Sequence, residues 1–118
     1  MAKVLVVDDD QSLRMLYSNE LADEGHDVEA VSSGREALES IGKAKPDVVV
    51  LDIKMEGMDG LSVLSEIMKV DKTIPVILNT AYSTFKSDFT TWSADAYVVK
   101  SSDLSELKET IRQVLQSA

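Results

Sequence analysis

Short apolar runs alternate along the chain with longer stretches in which apolar residues recur every three or four positions. The runs fall at 3–7, 27–31, 47–51, 75–79 and 95–99. Three of them are nearly continuous in Val, Ile and Leu, for example Val4-Leu5-Val6-Val7 and Val48-Val49-Val50-Leu51. That is the pattern of strands buried on both faces. The stretches between and after them read as helices over 11–24, 34–43, 59–70, 83–92 and 103–116. Leu13, Leu16, Tyr17 and Leu21 form one stripe at helical spacing, and Leu104, Leu107, Ile111, Val114 and Leu115 form another. Ser33 with Glu36 and Asp103 with Glu106 read as capping boxes. Gly25 and Gly42 stand where helices often close in a left-handed conformation.

Strands alternating with helices predict an α/β fold, a parallel sheet with five helices on its two faces and right-handed crossovers. There is no internal repeat, low-complexity tract or linker, so one domain over 1–118 is expected. The fourth helix is the weakest element. Residues 83–92 are rich in Ser and Thr, which are poor helix formers, yet Phe85, Phe89 and Trp92 recur at helical spacing. Those aromatics either pack onto the sheet or form an exposed docking face.

Polar residues stand where the runs stop. Asp8-Asp9-Asp10 follows the first, Asp52 the third, Thr80 the fourth and Lys100 the fifth. In a parallel sheet these stops share one edge, the edge where α/β proteins place their sites. Acids, a hydroxyl and an ammonium on one edge predict a pocket for a divalent metal and a phosphoryl group.

Composition narrows the alternatives. With 44% hydrophobic residues in 118, the chain can bury a core, and disorder is not expected. Cysteine is absent, which excludes disulfides and thiol chemistry. The one histidine, His26, cannot build a histidine-rich metal site and reads as a surface or turn residue away from the pocket. No apolar run approaches the roughly 20 residues of a membrane helix. Met1-Ala2-Lys3 leads directly into strand-like sequence, with no signal peptide, so a cytoplasmic protein is expected. The net charge of −9 argues against direct nucleic-acid binding and suits cations and protein partners.

Roles follow from chemistry. Carboxylates held together resist ionisation unless a cation lies between them. Magnesium is the expected ion, being hard and content with few protein ligands; manganese is an alternative. Asp52 stands alone at its strand end, and a carboxylate can attack phosphorus to form an acyl phosphate. The metal and Lys100 would neutralise charge on the phosphoryl oxygens, and Thr80 could donate a hydrogen bond to one of them. Gly60 would permit a tight turn into the third helix. Asp10 is expected outside the metal shell, at the start of the first helix.

This set resembles the receiver domain of two-component response regulators, over essentially the whole chain and in the manner of a single-domain chemotaxis regulator. The resemblance rests on Asp8-Asp9, Asp52, Met55, Met58-Asp59-Gly60, Thr80-Ala81 and Tyr97 three residues before Lys100, in that order. It implies a flavodoxin-like, doubly wound five-stranded sheet of order 2-1-3-4-5. It implies that Asp52 takes a phosphoryl group from a histidine kinase or a histidine phosphotransfer protein. Asp8, Asp9, Asp52 and the backbone carbonyl of Lys54 would surround magnesium, and Lys100 and Thr80 would meet the phosphoryl group. Thr80 and Tyr97 would switch the face of helix four, strand five and helix five. A downstream protein or output domain would read that face, with the chain a monomer or weak dimer. Such a domain contributes to its own phosphorylation and dephosphorylation and is not a turnover enzyme. Lys54 and Tyr82, each two residues after a site residue, would flank the path of the hydrolytic water and tune phosphate lifetime.

Two departures from the family pattern stand out. Ser101 follows Lys100 where proline is usual, with its cis peptide; a cis bond to a non-proline residue costs about 2.5–4 kcal/mol. Glu56 and Gly57 follow Met55 where proline is also usual. Three rival readings compete. Asp8-x-Asp10-x-Ser12 also resembles the first motif of haloacid-dehalogenase-type phosphatases, with Asp8 as nucleophile and Asp10 as general acid, but that family needs a longer chain. A flavodoxin-type flavin site needs a Gly/Ser/Thr-rich loop after the first strand, and three aspartates would repel its phosphate. A receiver-like adaptor that no longer switches is the third.

Overall fold

The computed structural model describes residues 2–55, 57–81 and 94–117. Strands β1 (Lys3–Val7), β2 (Asp27–Val31), β3 (Val48–Leu51), β4 (Val76–Thr80) and β5 (Ala96–Val99) form one sheet in the order β2-β1-β3-β4-β5. Every pairing is parallel, and Val6, Val50, Ile77 and Ala96 lie in one row across the four strands from β1 to β5. The expected order is therefore present. Four helices lie among the described residues rather than the expected five: α1 (Gln11–Asp23), α2 (Gly34–Lys43), α3 (Gly60–Val70) and α4 (Ser105–Ser117). The helix expected over 83–92, with Phe85, Phe89 and Trp92, lies outside the described residues, so α4 corresponds to the expected fifth helix.

The strand residues alternate between two cores. Val4, Val6, Val48, Val50, Ile77 and Val98 pack with Tyr17 and Leu21 of α1 and with Leu107 and Ile111 of α4. Leu5, Val7, Val49, Leu51, Val76 and Leu78 pack with Ala37 and Ile41 of α2 and with Val63, Leu64 and Ile67 of α3. Each central strand thus needs apolar residues at every position, which explains the unbroken Val/Ile/Leu runs.

Side-chain caps set where the helices begin. Asp10 accepts from the Leu13 N–H at 3.2 Å to start α1. Ser33 caps α2 as expected, but Glu36 closes on the N–H and hydroxyl of Ser32, each at 2.7 Å. The last helix starts two residues later than expected. Asp103 accepts from the N–H and hydroxyl of Ser105, at 2.9 and 2.6 Å, and so holds the preceding turn. Gly25 takes the left-handed conformation (φ 91°), as its place after α1 requires. Gly42 instead lies inside α2, which ends through an extended Ala44. Leu16 is 40% exposed, outside the stripe assigned to it. Leu13, Tyr17 and Leu21 climb one ridge in steps of four, and Leu16 falls to its side. Ion pairs from Lys108 to Glu20 (2.8 Å) and from Arg112 to Glu24 (3.4 Å) join α4 to α1. Among the described residues no helix is long and apolar enough to cross a membrane.

Leu64 is fully buried between α3 and the sheet. Leu64→Ala is expected to lower the free energy of urea unfolding by about 2–5 kcal/mol, whereas Leu16→Ser should stay within about 0.5 kcal/mol.

Candidate functional site

The expected site residues sit at four strand ends: Asp8 beyond β1, Asp52 beyond β3, Thr80 closing β4 and Lys100 beyond β5. The ladder persists past the last paired residues. Asp52 N–H donates to Val7 O at 3.0 Å, and Lys100 N–H donates to Thr80 O at 2.7 Å. One step past Val7 and Leu51, the register brings Asp8 beside Asp52. Lys100 Nζ lies 2.7 Å from Asp8 Oδ2 and 3.1 Å from Asp52 Oδ2. Asp8 is 2% and Asp52 6% exposed, and Thr80 is fully buried. Asp9 is exposed, yet one carboxylate oxygen from each of Asp8, Asp9 and Asp52 lies within 4.8 Å of the others. The cavity above them has a volume of about 190 Å³, and its walls include Asp10, Lys54 and Ala81.

Helix α1 holds Asp8 in place. Asp10 N–H donates to Asp8 Oδ1 at 2.9 Å, and the Arg14 guanidinium donates to Asp8 O at 2.8 Å. With its own carboxylate capping α1, Asp10 stands at the helix start as expected. Gly60 is needed for close approach rather than for an unusual dihedral. Its N–H donates to Ile53 O at 2.7 Å. A Cβ there would collide with the carbonyl oxygen of Asp52 and stand 2.6 Å from Ile53 Cα. The start of α3 therefore rests directly on the backbone that carries Asp52.

Burial pushes the Asp52 carboxyl above its ordinary pKa. The Lys100 charge opposes this, the Asp8 charge adds to it, and hydrogen bonds from Lys100 and the Lys54 N–H oppose it. Burial also disfavours the Lys100 ammonium, but its bond to Asp8 and the nearby charges of Asp52 and Asp8 outweigh that and hold its pKa above the usual value. Three carboxylates against one ammonium leave an excess of two negative charges. A hard divalent cation with oxygen ligands fits that donor set.

The Lys100–Ser101 peptide is trans, and no peptide among the described residues is cis. Lys100 reaches both carboxylates all the same, so the serine does not remove the ammonium from the site. Lys54 is exposed at the cavity wall. Tyr97 is half-buried against the core under α2 and α3, the side of β4 on which Thr80 also falls by alternation from Val76 and Leu78. Tyr82 lies outside the described residues. His26 precedes β2, at the end of the sheet away from the cavity, and is partly buried rather than a surface residue.

Two groups beside the site were not legible as functional in the sequence. Asn79, 3% exposed, stands one step past the Leu51–Leu78 pair and so beside Asp52. Burial raises the pKa of the Tyr17 hydroxyl, which is 2% exposed, and the Asn79 side chain opposes that rise. The available signal was a polar residue at a strand position where neighbouring strands carry buried acids.

Comparison with known proteins decides the family. The sequence matches the family model for the response regulator receiver domain over residues 4–112. The chain belongs to this family. The receiver is similar to the response regulator TrrA of Thermotoga maritima. That structure, a complex with Mg2+-BeF, is 44% identical with a TM-score of 0.94, covering 97% of this chain and 99% of TrrA. A TrrA complex with the histidine kinase ThkA gives 44% identity and a TM-score of 0.92 over 98% of this chain and 99% of TrrA. Sporulation initiation phosphotransferase F of Bacillus subtilis is 31% identical over 96% of this receiver and 93% of its own length. The regulatory protein AtoC of Escherichia coli is 35% identical over 97% of this receiver, but the receiver spans 25% of AtoC.

Because burial raises the Asp52 pKa, the charge-free form contributes stability below the ordinary carboxylate pKa, and that stability is lost as pH rises through the raised value. Asp52→Asn is therefore expected to raise the thermal midpoint of the metal-free protein at pH 7 and to flatten its decline as pH rises above the ordinary carboxylate range. Differential scanning calorimetry in chelator across pH reads both effects. Gly60→Ala should cost about 1–3 kcal/mol in urea unfolding by overpacking against the Asp52 backbone.

Proposed function

We propose that this chain, over 1–118, is the phosphoacceptor receiver of a two-component or phosphorelay system. The observation that carries this reading is the ammonium of Lys100 set between the buried carboxylates of Asp8 and Asp52, with an Asp9 oxygen in the same cluster. The TrrA complexes with Mg2+-BeF and with the histidine kinase ThkA support it by likeness.

Asp52 is the group that accepts phosphate from a histidine kinase or a histidine phosphotransfer protein. One carboxylate oxygen forms a bond to phosphorus as the phosphorus–nitrogen bond of the donor breaks. Lys100 answers the charge on the phosphoryl oxygens, and Thr80 donates a hydrogen bond to one of them. The Lys54 N–H that already bonds the Asp52 carboxylate keeps it oriented for attack. Asp8, Asp9, Asp52 and the backbone carbonyl of Lys54 are the residues that would hold Mg2+, with Mn2+ as a substitute. The metal supplies positive charge to the transferred group when bound.

Thr80 and Tyr97 form the switch, and the output surface is β5 with α4 and the segment between β4 and β5. A downstream protein or output domain reads it; AtoC and comparable regulators extend well beyond the length this chain spans. The receiver acts in the cytoplasm as a monomer or weak dimer and turns over no separate substrate. Lys54 and Tyr82 shield the acyl phosphate from water and lengthen its life.

Phosphoramidate with Mg2+ is expected to label Asp52, as read by peptide mapping after borohydride reduction. Asp52→Asn should abolish labelling, and Lys100→Ala should slow it about 100-fold. Label on Asp8 would instead favour a phosphatase-type nucleophile. Beryllofluoride with Mg2+ should change Trp92 fluorescence; saturable binding with no change would favour a fixed adaptor. Replacing Lys54 and Tyr82 together with alanine should hasten loss of phosphate, and an unaltered decay rate would remove their assigned role.

A further inference from the structure

We propose that Arg14 is a positioning residue for the metal site, fixing the peptide between Asp8 and Asp9 so that their carboxylates are set for Mg2+. The inference rests on the reading of Asp8, Asp9 and Asp52 as Mg2+ ligands and adds a residue outside that ligand set.

Its basis is the main chain where β1 stops. Val7 O accepts the Asp52 N–H at 3.0 Å, and the Asp8 N–H donates to Val31 O at 3.1 Å. The next main-chain acceptor, Asp8 O, takes the Arg14 guanidinium at 2.8 Å. A peptide is a rigid plane, so the direction of that oxygen sets the direction in which Asp9 leaves. Asp8 and Asp9 each bring a carboxylate oxygen to the cluster with Asp52. A hold on the Asp8 carbonyl is thus a hold on how the two acids stand to each other. Asp8 itself is buried, with the Asp10 N–H on Oδ1 at 2.9 Å and Lys100 on Oδ2 at 2.7 Å. Asp9 is exposed, so its placement depends on the main chain more than on packing.

Helix geometry brings Arg14 to this position. Helix α1 starts from the Asp10 cap, and Arg14 lies one turn in, with its N–H on Asp10 O at 3.0 Å. Side chains lean towards the helix N-terminus, so a long residue here reaches back over the cap to Asp8. Local preference does not account for an arginine. A cation in this turn lies close to the positive end of the helix dipole, where it is disfavoured. Charge alone does not serve the metal either, because a fixed cation beside the acids opposes a second one. A planar, charged fork does suit a directed bond to one carbonyl. Arg14 is partly buried, which strengthens that bond.

Arg14→Met and Arg14→Lys, each in the full chain, test the assignment. Mg2+ alone is titrated into each protein by isothermal calorimetry, and the folded fraction is checked by urea unfolding. Labelling of Asp52 by phosphoramidate is then timed at saturating Mg2+. Arg14→Met keeps a long helix-forming side chain but removes the donor and the charge. It is expected to weaken Mg2+ binding by the folded protein about tenfold. Labelling at saturating Mg2+ should stay within about twofold of wild type, since the bound metal restores the arrangement. Arg14→Lys keeps a charged donor and should recover part of the lost affinity. The sign separates positioning from charge, because losing a cation beside three acids would by itself tighten Mg2+ binding. Unchanged or tighter binding by folded Arg14→Met, or a loss matched by its unfolded fraction, would overturn the proposal while leaving the ligand reading in place. Absence of saturable Mg2+ binding by the wild-type chain would instead remove that reading and this inference with it.

Discussion

Lys100 is the side chain on which the site depends. Asp8 and Asp52 are almost excluded from water, and two such carboxylates side by side repel strongly unless a cation answers them. The ammonium arrives from β5, and β4 stands between β5 and β3. Adjacent strands lie about 4.8 Å apart, so only a long, flexible stem can pass over the end of β4 and reach both acids. The strand order is therefore a condition of the chemistry. Shifting the register of β5 by one residue would turn the lysine to the other face and leave the acids without their counter-charge.

The same arrangement explains why the site is poised rather than relaxed. One ammonium does not balance three carboxylates, and burial holds Asp52 above its ordinary pKa even with Lys100 beside it. The fold absorbs this strain because the surrounding strands are buried in apolar cores on both faces. Gly60 adds a further constraint, since α3 rests on the backbone of Asp52 with no room for a methyl group. Asp52 is thereby fixed from two sides, by charge at its carboxylate and by contact at its main chain.

Much of this was legible in the sequence because parallel sheets impose simple rules. Continuous Val/Ile/Leu runs mark doubly buried strands, and polar residues at their ends must gather on one edge. That logic alone brings Asp8, Asp52 and Lys100 together, with Thr80 closing the strand between β3 and β5. The misses have equally physical origins. Asp103 looks like a cap in a capping box, yet its oxygen takes the N–H of Ser105 and delays α4 by two residues. Leu16 fits a helical stripe by spacing, but the ridge through Leu13, Tyr17 and Leu21 leaves it outside. Asn79 lies inside the fourth strand run and carries no site signature of its own, and the ring of Tyr17 hides its hydroxyl within an apolar stripe. The ion pair from Lys108 to Glu20 joins residues 88 positions apart, and no local pattern announces it.

Strand β4 presents Asn79 to the layer of α1 and α4 and Thr80 to the layer of α2 and α3, on consecutive residues. The two share one backbone, so a shift of the strand itself would move both. The sheet is then less a wall between two helical layers than a shared hinge pin. A displacement of that backbone at the acidic cavity would reach both sides of the molecule at once.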